Sequence, residues 1–343
     1  MAFHEYKGCL HVHLSPDIKT ECPDEIFYAA KNAGLDFLVL TPHTPRRRIY
    51  SDYFLMEGYN NDVLIFAGEE ADEFSGLNHV LVYGNKNWLG KTNIEKTLFF
   101  AEKNSSLLFA AHPDGKHRLF GFEIDHRWRK RDLLEFLTGL EVWSLLFDFA
   151  SRTNPSNVVI RYLRFPENLR GPFSPTLNLW DSVAEKRKFV GVAGLDIHPL
   201  RYGIKCLDIK KTFSYEFVFR ILRNHILTEK VLTKNAHQDI KAVENALRQG
   251  RIFFANDFLA DSTGFFFGTQ DRKFTMGDTV DFDDSLLIEL PEKADVKIKN
   301  SAQTLSFKNT KRIIFKGKRT GPHRVEVYYK EKPWIFSNHM YLR

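Results

Sequence analysis

The chain has 343 residues, enough for one large domain or for a large domain with a small companion. Its 43% hydrophobic and 27% charged residues are the balance of a soluble globular fold, which excludes a disordered or fibrous chain. No apolar run approaches the about 20 residues that cross a bilayer, so no membrane partner is expected.

The N-terminal segment lacks the apolar core and cleavage site of a signal peptide. Cys9, Cys22 and Cys206 show no CxxC spacing and no disulfide framework. Together these features predict a cytoplasmic protein. The net charge of +6 favours an anionic small-molecule substrate. The basic runs Arg46-Arg47-Arg48 and Arg127-Trp128-Arg129-Lys130-Arg131 read as solvated surface, so nucleic acid is not an expected partner.

In chain order, a short apolar run at 8–12 leads into His13. Helical character follows at 24–33, with Asp24 placed to cap it and Gly34 to end it. Buried strands are then predicted at 35–40, 63–67, 79–83, 107–111, 140–143 and 189–193. Amphipathic helices are predicted at 94–103, 131–137 and 179–187, and a further helix at 239–249. This alternation implies an α/β fold with a largely parallel sheet, open or closed into a barrel. After residue 256 helix periodicity stops. Phenylalanine- and glycine-punctuated segments at 264–268, 286–290, 312–315 and 324–329 predict a small β-sandwich-like domain over 257–343.

The informative residues stand at strand ends. His11 and His13 alternate with Val12, so an extended segment puts both imidazoles on one side. His43, Glu70 and His112 each follow an apolar run, and Asp196 and His198 end another. His79 is the exception, since it begins its strand. In a parallel βα architecture the carboxyl ends of strands share one rim. There, neutral imidazoles and carboxylates suit Zn, Mn or Fe. A lone His-x-His is weak evidence, but histidines with unrelated structural roles have no reason to select strand ends repeatedly.

These residues resemble the PHP (polymerase and histidinol phosphatase) metallohydrolases. The resemblance is carried by Leu10-His11-Val12-His13, Thr41-Pro42-His43, Gly68-Glu69-Glu70, His79-Val80-Leu81-Val82-Tyr83-Gly84, Ala111-His112-Pro113 and Gly194-Leu195-Asp196-Ile197-His198. The ending Lys332-Pro333-Trp334-Ile335-Phe336-Ser337-Asn338 is similar to the C-terminal module of a carbaryl-hydrolase-like branch. Two departures stand out. Pro42 replaces an Asp of the second motif, and the usual Ser-Asp-Gly after the first motif is absent. Asp17 is taken as the ligand there, with Glu21 as a further candidate.

The resemblance implies a distorted seven-stranded βα barrel over 1–256 with two or three divalent metal ions. His11, His13, Glu70 and Asp196 would hold one ion. Glu70 would bridge to a second on His79 and His112, and Asp17, His43 and His198 would hold a third.

Water bridging two cations loses its proton near neutral pH and becomes a nucleophile. Arg46, Lys116, Arg118 and Arg201 are candidates to meet the substrate anion, Arg201 foremost because it follows His198 by three residues. Phosphate ester hydrolysis is the first reading, and hydrolysis of a carboxylic ester, amide or carbamate the alternative. A metal-stabilised binding module, using the aromatic C-terminal domain for recognition, is the rival from another class. Substrate specificity is assigned to the rim segments 45–62, 115–129 and 145–176.

Overall fold

The computed structural model describes residues 3–14, 23–43, 56–119, 122–198 and 214–343. Asp17, Arg46 and Arg201, with Glu21, Cys22, Cys206 and part of the expected rim, lie outside the described residues.

The strands of the first part are β1 (His4–Val12), β2 (Phe37–Leu40), β3 (Gly58–Asn60), β4 (Val63–Ala71), β5 (Val80–Tyr83), β6 (Leu107–Ala110), β7 (Lys116–Leu119), β8 (Phe122–Asp125), β9 (Gly139–Ser144), β10 (Val190–Gly194), β11 (Leu222–Thr228) and β12 (Ile252–Asn256). Near-continuous apolar runs make β2, β4, β5, β6, β9 and β10 buried along their whole length. That is the pattern of strands covered on both faces. Parallel pairings join β1 to β2, β2 to β4, β6 to β9 and β9 to β10. Asp196 N donates to His11 O at 2.8 Å, and Leu195 N to Leu10 O at 3.1 Å. These bonds bring the end of β10 back onto β1 and curl the sheet.

Helices α1 (Pro23–Asn32), α2 (Ile94–Lys103), α3 (Leu145–Ala150), α4 (Val158–Leu163), α5 (Ser174–Ala184), α6 (Tyr215–Val218) and α7 (Ala236–Gln249) accompany these strands. Asn93 caps α2 by accepting from Lys96 N, a cap worth about 1 kcal/mol. Gly250, at φ 75°, ends α7 in the left-handed conformation that glycine adopts without strain.

The fold is therefore mixed α/β, with a correction to the expected alternation. β5 runs antiparallel to both β4 and β6, and β4 passes to β5 without a helix. Strand direction is not encoded in apolar periodicity, so the sequence pattern could not distinguish the two arrangements. The expected helix at 131–137 is a 3₁₀ helix, Arg131–Phe136, and that at 179–187 lies earlier, as α5.

The last strands are β13 (Phe266–Thr269), β14 (Thr279–Val280), β15 (Ser285–Lys299), β16 (Thr304–Lys316), β17 (Gly321–Tyr329), β18 (Lys332–Ser337) and β19 (Met340–Leu342). All their mutual pairings are antiparallel except β14 with β19. They enclose a second core with Phe265, Phe267, Val296, Val325 and Trp334 at its centre. β18 pairs with β12, so one sheet runs through both parts.

Asn338 stitches that junction. Its amide nitrogen donates to Gly191 O and Ile252 O, and its Oδ1 accepts from Gly191 N. The buried Arg324 holds both carboxylate oxygens of Asp181 on α5, at 2.6 and 2.9 Å. Among the described residues no helix is long and apolar enough to cross a membrane.

Candidate metal centre

β1, β4, β6 and β10 deliver their polar residues to one end of the curled sheet. The structure brings together His11, His13, His43, Glu70, His79, His112, Asp196 and His198. Glu70 is central and fully buried. Its Oε2 lies 3.3 Å from His11 Nε2, 3.2 Å from His13 Nε2 and 3.2 Å from His43 Nδ1. Its Oε1 lies 2.9 Å from both His79 Nδ1 and His112 Nε2. Asp196 Oδ1 is 3.6 Å from His11 Nε2 and 3.4 Å from His13 Nε2. His198 closes the outer side, its ring stacked 4.0 Å from that of His13 and its Nε2 3.3 Å from His43 Nε2.

Simple strand alternation does not explain the first motif. His11 has φ 58°, and the β1–β2 register slips between Cys9 and Val12. A kink, not an uninterrupted extended segment, is what turns both imidazoles inward. His112 and Asp196 also take positive φ, 27° and 50°. Each such non-glycine residue costs about 1–3 kcal/mol, and strain of this kind gathers at functional sites. Gly194 permits the crowding, because a Cβ there would fall 2.6 Å from Glu141 Oε1 and 2.9 Å from His11 Cβ.

Among the described residues three overlapping sets of donor atoms are placed so that they could hold a cation, with every atom within 4.8 Å of the others in its set. They are His11, His13, Glu70 and Asp196; His43, Glu70, Asp72 and His79; and His13, His43 and His198. His11 Nε2, His13 Nε2, Glu70 Oε2 and His112 Nδ1 are buried without a hydrogen-bond partner. Unpartnered buried polar atoms are costly. The first three sit among imidazoles and carboxylates, the donor chemistry of a divalent transition metal.

The electrostatics follow from this crowding. Burial works against charge on His11, yet Glu141, Glu70 and Asp196 outweigh it and hold its pKa well above the usual imidazole range. His43 is raised to about 9, with Glu70 and Asp72 overcoming its desolvation. His198 is lowered to about 4 by burial and by the neighbouring His13. Burial alone would raise Glu70 and Asp196, but the surrounding histidines hold both well below the ordinary carboxylate range. The inner groups are sealed from water, whereas the side chains of His43 and His198 are 41% and 44% exposed. The centre is open on that side, as a catalytic site must be.

Three neighbours were missed by the sequence reading. Glu141 accepts a bond at 2.8 Å from His11 Nδ1 and one at 3.2 Å from His112 N. Its signal was a carboxylate inside the otherwise apolar strand β9. Asp72 Oδ1 lies 2.9 Å from His43 Nδ1 and stands two residues beyond Glu70. His126 bonds Gly76 O through Nδ1 at 2.6 Å, its ring 4.5 Å from that of His79. It directly precedes what reads as a basic run in the sequence. Lys116 lies on the β7–β8 ribbon with its ammonium 2.9 Å from Glu123 Oε1.

No protein-family model matches this chain, and no curated protein matches it. A solved structure from Bacteroides vulgatus, described as a two-domain protein containing a predicted PHP-like metal-dependent phosphoesterase, aligns at 14% identity. The alignment covers 98% of this chain and 95% of that one, with a TM-score of 0.47. At this level of similarity the likeness carries no functional weight.

Proposed function

We propose that the chain is a metal-dependent hydrolase of anionic phosphate esters, with a PHP-like distorted barrel over 1–256 as its catalytic part and 257–343 as a β domain. One observation carries the reading. Seven imidazole and carboxylate side chains gather round Glu70, and at their centre His11 Nε2, His13 Nε2 and Glu70 Oε2 are buried without a hydrogen-bond partner. A structural metal site closes with four ligands, whereas this cluster is larger and open at His43 and His198. The basic balance of the chain and the motif resemblance favour an anionic ester.

His11, His13, Glu70 and Asp196 would hold one ion. Glu70, through its other oxygen, would share a second with His79 and His112, and His13, His43 and His198 surround a third position. Zn, Mn or Fe bound there would supply Lewis acidity and lower the pKa of water toward neutrality. The chain's own residues do the positioning. Glu141 takes the Nδ1 proton of His11 in a hydrogen bond, which fixes the tautomer that turns the Nε2 lone pair inward. The half-exposed pair His43 and His198 mark the side from which substrate enters. Asp17 is proposed as a ninth ligand, with Arg46 and Arg201 meeting the substrate anion; Lys116 would have to leave Glu123 to join them.

Chelator-stripped protein should be inactive and should regain turnover of p-nitrophenyl phosphate with Mn²⁺ or Zn²⁺. Glu70→Gln should lower that rate by about two to three orders of magnitude, the scale of one lost electrostatic partner of a transition state. Turnover of p-nitrophenyl acetate or aryl carbamates, with none of the phosphate, would move the reading to carboxyl esters. Metal uptake with no turnover of either class would leave a binding module.

A further inference from the structure

Beside the cluster, and sharing Asp196 and His198 with it, lies a cavity of about 410 Å³. Among the described residues the rest of its wall is mostly hydrocarbon, with Leu146, Phe147, Phe149, Val158, Tyr162 and Phe165 among those that form it and His117 and Thr153 as its other polar members. The wall begins at the cluster itself, since the Phe147 ring packs 4.8 Å from that of His112. Phe149 and Phe165 meet edge to face at 5.3 Å within that wall. Its volume falls in the range that encloses a small organic ligand.

We infer that this cavity takes the hydrocarbon group of the substrate, an alkyl chain or aromatic ring, while the ester head lies on the cluster. The inference rests on the hydrolase reading for the identity of the head. The choice of group follows from what the wall can offer. A sugar or nucleoside buried there would lose water from its hydroxyls and find few donors or acceptors in return, which costs affinity for each unpaired group. A hydrocarbon loses nothing polar and gains about fourfold in affinity for each methylene buried. The substrate class is therefore an anionic monoester of an apolar alcohol or phenol. The 145–176 segment that the sequence assigned to specificity, α3 and α4 included, supplies more than half of the described wall.

The test is calorimetric titration of Zn²⁺-loaded protein with n-alkylphosphonates from methyl to octyl. Affinity should rise about fourfold per methylene until the cavity is filled. Leu146→Gln, at a partly exposed position on the wall, should flatten that slope and leave methylphosphonate binding unchanged. Affinity independent of chain length, or no phosphonate bound at all, overturns the inference. Turnover of p-nitrophenyl phosphate is read separately. Turnover with a flat series removes the cavity's role and keeps the hydrolase. A steep series without turnover of any ester removes the hydrolase and keeps the cavity.

Discussion

His11 and His225 stand on adjacent paired strands, β1 and β11, and neither has any solvent exposure. Both face carboxylates, but their surroundings differ. His225 Nδ1 bonds Glu5 Oε1 at 2.6 Å, and its Nε2 lies 3.1 Å from Asp257 Oδ2. Asp257 in turn accepts from Ser262 Oγ at 2.6 Å and Arg223 Nη1 at 3.4 Å. Each charge has a partner, and neither ring nitrogen is left over. At His11 one nitrogen is satisfied by Glu141 and the other faces Glu70, Asp196 and His13 Nε2 with nothing donated between them. The first arrangement is complete as protein; the second is one that a cation would complete. Ser262, His225 and Glu5 even line up as nucleophile, base and acid, yet Ser262 is fully buried, so no substrate can reach it. Histidine beside carboxylate is thus no sign of chemistry by itself. Unpartnered atoms with an open side are the sign.

The strongest way to break that contrast is Asp257→Ala. It leaves the buried Arg223 without its carboxylate and His225 with Glu5 alone, which costs about 3–5 kcal/mol. Denaturant unfolding of the metal-free protein should show this loss, while the rise in Tm on adding Zn²⁺ stays as in the parent. Glu70→Gln should do the reverse, losing the Zn²⁺-dependent rise that mass action confers on a binding protein. If Asp257→Ala instead spared stability and abolished the metal response, the two sites would have been assigned the wrong way round.

A pH dependence sharpens the same contrast. Burial opposes charge on His225, but Asp257 and Glu5 prevail and raise its pKa to about 9, from 6.5. Protonation of this residue therefore stabilises the fold. Its contribution is complete below about pH 6.5 and fades as the pH climbs through 9, on the order of 3 kcal/mol in all. The difference in unfolding free energy between the parent and His225→Asn should shrink by that order between pH 6.5 and pH 9.5. A difference that stays constant across the window would mean that His225 is neutral in the fold.

Much of the centre was legible because its residues obey spacing rules that survive folding. His-x-His, Asp-x-His and a glutamate after an apolar run all mark strand ends, and strand ends meet. The strands were legible for a related reason, since β2, β6 and β10 are apolar without a break and β4 is so up to Glu69. What escaped depends on the third dimension. The reversal of β5 leaves no trace in a period-two pattern. The kink at His11 lies where β10 closes onto β1, a contact between residues far apart in the chain. The cavity beside His198 reads in the sequence only as ordinary apolar helix residues. Asp257 and Ser262 complete a buried ion network that no spacing in the sequence marks.

Glu141 is where the comparison is finest, because it plays toward His11 the part that Glu5 plays toward His225. Each carboxylate holds a histidine Nδ1, at 2.8 and 2.6 Å. If His11 serves a metal, Glu141 acts through it, fixing its tautomer and raising its basicity. Substituting such a supporting group costs about 10–100-fold in metal affinity. Glu141→Gln keeps the shape and can still accept from His112 N, so the fold should hold. Zn²⁺ affinity, measured by competition with a chromophoric chelator, should fall within that range. Glu5→Gln should leave Zn²⁺ affinity untouched and lower unfolding stability instead. Equal Zn²⁺ affinities for parent and Glu141→Gln would reduce Glu141 to a packing residue and remove His11 from the ligand set.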